Sequence, residues 1–179
     1  MYFGIDPGEN GAIVWLLREK NWFSVDWIPT KGTEGYTKVE GIDPKMVTAF
    51  VERERVSGMM SPTAAGTFMT GYGFCLGVLH CLGYRTVLVD PQVWLRTLPI
   101  EPFKPAANVP MAKLRALRKK HYGAQIRELW GGLEGVPEYA VDAHGILLAG
   151  LMTLCGTSLS PSSSPSSPSS KSCGKSRRQ

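Results

Sequence analysis

Three strand-like runs crowd into the first 29 residues, and this spacing limits the fold more than any other feature of the chain. Residues 2–6 ("YFGID") and 12–17 ("AIVWLL") are apolar, and 22–29 ("WFSVDWIP") alternates apolar and polar. Gly-bearing "DPGENG" links the first two, so the three read as a meander of adjacent antiparallel strands. Beyond the loop "TKGTEGYTKVEG", residues 43–56 ("DPKMVTAFVERERV") begin with an Asp-Pro helix start and end strand-like. Residues 63–83 form an apolar helix ended by Gly83, and 85–91 ("RTVLVDP") a buried strand followed by "QVWLRTLPI". Residues 110–130 are a basic helical stretch with a break expected at Gly123. The last helix covers 136–154, with Pro137 in its first turn. The order predicts an α/β fold: a mixed sheet, three meander strands and then alternating helices and strands, with helices on both faces.

The formal net charge of +5 is unevenly placed. Beyond Cys155 the chain reads "GTSLSPSSSPSSPSSKSCGKSRRQ", which holds Lys171, Lys175, Arg177 and Arg178 and no acid, leaving residues 1–156 near +1. The expected division is a folded domain over 1–155 and a disordered Ser/Pro-rich basic tail over 156–179, which has too little apolar surface to offset its ordering entropy. No window holds 18 consecutive apolar residues, so no spanning helix and no membrane partner are expected. Met1 runs straight into the first strand, leaving no visible signal peptide. Cys75, Cys81, Cys155 and Cys173 lack CxxC spacing and are expected as buried, reduced thiols of an intracellular protein.

Acids appear where a packed core would avoid them. Asp6 ends the first strand; Glu52 and Glu54 share one face of a strand; Glu138 and Asp142 share one face of a helix. Singly, each has a plain alternative: a turn before Pro7, a charged edge strand, a first-turn acid. Asp142 is the hardest to explain that way, because the helix is apolar from Ala143 onward. Carboxylates brought together repel unless a cation neutralises them. Oxygen donors without a Cys or His cluster suit Mg²⁺, with Mn²⁺ as substitute, rather than zinc. Two such ions about 4 Å apart support phosphodiester hydrolysis.

The motifs together resemble a known family. "GIDPGENGAI" is similar to the opening of RuvC-type Holliday junction resolvases, particularly their chloroplast and phage-like branch. "ERVSGMMSPTAAGTFMTGYGFCLG" resembles that branch's second motif, "LVDPQVWLRTL" its Pro-Gln-x-Trp segment, and "VDAHGILLAG" its last acidic helix. The resemblance implies an RNase H-like fold, a homodimer, and Mg²⁺-dependent paired nicking of four-way junction DNA, with association to a nucleoid or organelle nucleoid. Carried over by motif, Asp6 is the first metal ligand, Glu54 the second and Asp142 the last acid. Glu54 keeps the motif's spacing to Phe68, Gly71 and Gly73, and Glu52 stands in reserve. The family usually has an Asp or His three or four positions before the final acid. Those positions are Tyr139 and Glu138 here, which makes Glu138 the fourth ligand; an alternative register leaves Gly145 at the final acid with His144 as its substitute.

Between residues 110 and 130, Lys113, Arg115, Arg118, Lys119, Lys120 and Arg127 face one acid, Glu128. This stretch is the expected DNA contact, with salt-sensitive binding. Tyr72 or Phe68 is expected to stack on an unpaired base, and Trp94 to be a packing anchor. Two other readings stay open: a noncatalytic junction-binding relative with a degenerate metal site, and another RNase H-like nuclease.

Overall fold

The computed structural model describes residues 1–8, 11–19, 22–29, 42–56, 58, 60–131, 133 and 135–156. Five strands, β1 (Tyr2–Asp6), β2 (Ala12–Glu19), β3 (Trp22–Pro29), β4 (Thr48–Glu52) and β5 (Arg85–Val89), form one sheet in the order β3-β2-β1-β4-β5. The meander strands are antiparallel, whereas β1, β4 and β5 run parallel. A 3₁₀ turn (Pro44–Met46) and four helices complete it: α1 (Pro62–Cys81), α2 (Pro91–Thr97), α3 (Met111–Trp130) and α4 (Glu138–Leu154). The expected mixed sheet with helices on both faces is what forms. The expected tail over 156–179 lies outside the described residues from Thr157 onward, as does Cys173.

Alternation along the strands decides which helix covers which face. Phe3, Ile5, Ile13, Ala49 and Val51 point to one side and pack with Tyr72, Cys75 and Leu79 of α1. Ala12, Val14, Leu16 and Phe50 point to the other, against α2, α3 and α4. On that second side α4 lies almost in contact with the sheet backbone, because glycines remove the side chains that would hold it off. A Cβ on Gly4 would sit 2.3 Å from the Ala143 carbonyl oxygen, and one on Gly150 would sit 2.3 Å from the Phe50 ring. Asp6, two residues past Gly4 on the same strand face, is thereby aimed at the start of α4.

Three local expectations change. The break at Gly123 does not occur; α3 is continuous, and Gly123 is buried where α4 crosses, a Cβ there lying 3.7 Å from Val141 Cγ1. Residues 91–97 form an additional helix, α2, started by Asp90, whose side chain accepts from the Gln92 N–H, and by Pro91. Of the thiols expected to be buried, Cys75 is, but Cys81 and Cys155 are exposed; none of the three is in a disulfide. Among the described residues no helix is long and apolar enough to cross a membrane.

Candidate metal centre

Strand register builds the centre. Ile5 pairs with Val51 across the parallel β1–β4 ladder, so the next residues, Asp6 and Glu52, end adjacent strands side by side on the α4 face. Glu54 follows two residues on, and its backbone is hydrogen-bonded to the phenol of Tyr72. One carboxylate oxygen from each of Asp6, Glu52 and Glu54 lies within 4.8 Å of the others. All three residues are partly buried.

Crowding is visible in the acid–base behaviour. Burial raises the Asp6 carboxyl well above its ordinary range, and the charges of Glu52, Asp142 and Glu54 raise it further, against Lys119. Burial also raises Glu52, while the hydrogen bond from Trp94 pulls it back. Glu54 is pushed up to about 7, first by burial and then by Glu52. Three carboxylates in a half-dry pocket are costly while ionised and unpaired. The donors are all oxygens and close enough to share one ion, so the residues present fit a hard divalent cation.

The fourth and fifth acids stand apart from this group. Asp142 is near enough to raise Asp6 and Glu52, but its Oδ2 is ion-paired with Lys119 Nζ at 3.1 Å. Glu138 is exposed and leans on α3, its Oε1 lying 3.8 Å from the position a Gly123 Cβ would take. The three-acid group therefore contains Glu52, held in reserve on sequence grounds, and not Glu138. His144 does not reach the centre either. It is fully buried two residues from Asp142, its Nδ1 bonds the Ala140 carbonyl at 2.7 Å, and its ring meets Trp130 edge-on.

The basic helix divides into two sets. Lys113, Arg115, Arg118 and Lys120 are exposed on α3, with Arg118 over the Tyr122 ring at 5.7 Å. Lys119 is exposed as well, but its ammonium is paired with Asp142. Arg127 is structural: its Nη1 donates to the carbonyls of Leu133 and Val136, tying α3 to the approach of α4. Tyr72 is 9% exposed and packs between α1 and the sheet. Sequence reasoning also missed Trp94 as a partner of the centre. Its Nε1–H donates to Glu52 Oε1 at 2.8 Å, and the Asp90-Pro91 helix start was the signal that places it there.

With this geometry, the chain can be compared with known structures. RuvC of Thermus thermophilus matches at a TM-score of 0.50 and 14% identity, over 87% of this chain and 96% of that one. The same species' RuvC in complex with Holliday junction substrate matches at 0.48 and 15% identity, with the same coverage. The fold is RuvC-like. No protein-family model matches the chain, and no curated protein does.

Proposed function

We propose that this chain is a structure-selective endonuclease that resolves four-way DNA junctions by metal-dependent, paired phosphodiester hydrolysis. The observation that supports this reading best is the meeting of Asp6, Glu52 and Glu54 at the strand ends of a RuvC-like fold. The junction as substrate comes from the four sequence motifs and their order. Residues 1–155 are the nuclease domain in this proposal and 156–179 an accessory tail; the chain works on DNA as a homodimer, whose two-fold axis matches a symmetric junction.

Asp6, Glu52 and Glu54 would hold Mg²⁺, with Mn²⁺ as substitute, and Asp142 completes the set once Lys119 yields it. Bound there, the ion supplies an activated water and stabilises the leaving oxygen. The chain's own contribution begins with charge. Lys113, Arg115, Arg118 and Lys120 draw the phosphate backbone along α3. Lys119 lies between that face and the carboxylates, where its ammonium holds Asp142 in place. On the α4 side of the sheet the buried residues Phe50, Ala143 and Leu147 make the apolar surroundings of the carboxylates.

One observation favours a second reading. Asp142 is committed to Lys119, and Glu138 stands away from the three-acid group, which is the arrangement of a junction binder with an incomplete site. Both readings are tested by incubating the chain with a synthetic four-way junction, a linear duplex and an RNA–DNA hybrid in Mg²⁺, Mn²⁺ or EDTA. Symmetric paired nicks in the junction alone, lost in EDTA, support the resolvase. Junction binding without cuts supports the binder, and cutting of the hybrid points to another RNase H-like nuclease.

A further inference from the structure

Glu52 already has a fixed protein partner for one of its two oxygens. The donor, Trp94, is 5% exposed, and α2 carries it to the end of β4 through three attachments. Asp90 caps α2, Arg55 ion-pairs with Asp90, and the Arg53 N–H bonds the Val89 carbonyl at 2.7 Å, extending the β4–β5 ladder past the strand ends. The far edge of the indole fills a notch in α4 that exists only because residue 145 is glycine. A Cβ there would lie 2.8 Å from Trp94 Cζ3 and 3.0 Å from Ile126 Cδ1.

Packing into the notch accounts for the size of the ring but not for where its N–H points. Its N–H must find an acceptor when buried, and here the acceptor is a carboxylate of the acid cluster rather than a backbone carbonyl. A hydrogen bond to an ionised oxygen is stronger than a neutral one and fixes direction. It holds the Glu52 carboxylate in one rotamer and leaves its second oxygen for the ion.

We propose that Trp94 is a positioning residue of this centre, orienting Glu52 for the cation through its indole N–H, with Gly145 as the notch that seats the ring. This rests on the reading of the acid cluster as a cation site. Trp94 itself does not touch the ion.

The test is Mn²⁺ affinity of the full chain by titration calorimetry. Partners that orient ligating groups typically matter by 10–100-fold, so Trp94→Phe is expected to weaken Mn²⁺ binding about tenfold while the circular dichroism spectrum and junction binding in EDTA stay unchanged. In a Glu52→Gln background the same substitution should add less than about twofold, because the carboxylate it orients is gone. Gly145→Ala, which pushes the ring out of its notch, should weaken binding in the same direction. Wild-type affinity in Trp94→Phe overturns the proposal, as does a tenfold loss that persists beside Glu52→Gln. If Trp94→Phe does not fold, the Trp94 indole N–H resonance of the wild-type chain decides: it shifts on Mg²⁺ addition if the proposal holds and stays fixed if it does not. A wild-type chain that binds Mn²⁺ through these acids yet cuts no junction overturns the nuclease reading and leaves this one standing. A wild-type chain without Mn²⁺ affinity overturns this one.

Discussion

Glu54→Gln should make the metal-free protein more stable at pH 8 while removing a ligand. The carboxyl moves from an ordinary 4.5 to about 7 in the folded chain, through burial and the neighbouring Glu52. At about 1.4 kcal/mol per pH unit this is roughly 3 kcal/mol of unfavourable charging in the folded state. Glu54 is only partly buried, and solvent screening brings the figure to about 1.5 kcal/mol. The sign follows from linkage: the folded chain holds this proton more tightly than the unfolded chain, so the group's favourable contribution is complete below about pH 4.5 and is lost as pH rises through about 7. Glutamine cannot ionise and escapes that loss. Urea unfolding in EDTA is therefore expected to show Glu54→Gln more stable than wild type by about 1.5 kcal/mol at pH 8, and equal to it near pH 4. For a domain of this size the gain is about 3–6 °C in Tm. Equal stability at pH 8, or a gain that is the same at both pH values, would refute the argument that burial and the neighbouring Glu52 raise this carboxyl.

Gly4→Ala places a methyl 2.3 Å from the Ala143 carbonyl oxygen and should force α4 off the sheet, costing about 1–3 kcal/mol in chemical denaturation. Removing any one of Lys113, Arg115, Arg118 or Lys120 should lower the slope of log junction affinity against log salt by about 1, read by fluorescence anisotropy. Lys119→Met should change that slope less, because its ammonium is already paired with Asp142. Arg127→Met breaks two bonds to part-buried backbone carbonyls and should cost about 1–3 kcal/mol of stability while leaving the salt slope unchanged.

Much of the architecture was legible because the strands signal it locally. The meander at 2–29 and the strand-helix alternation after it rest on short-range patterns. Asp6 was legible for the same reason, as an acid closing an apolar run. What sequence could not show depends on distance in space. Glu52 and Glu54 alternate on one face, and only the register of Ile5 against Val51 reveals that Glu52 stands beside Asp6. Gly123 looks like a helix break and is a crossing point, because packing against Val141 outweighs its low helix propensity. Tyr72 sits in a polar-looking segment, and its burial follows from where α1 crosses the sheet. Lys119 is one of three consecutive cations, Arg118 to Lys120, and helix rotation alone brings it to Asp142.

The most direct test of the central claim is a comparison of wild type with Asp6→Asn on one synthetic four-way junction in Mg²⁺. Asp6 is the acid that Glu52, Asp142 and Glu54 all crowd, and asparagine keeps its shape while removing the charge a cation needs. The expected result is paired nicks from the wild type, none from Asp6→Asn, and equal junction affinity for the two. Nicking by Asp6→Asn at the wild-type rate would contradict the assignment of the strand-end acids as the catalytic metal centre.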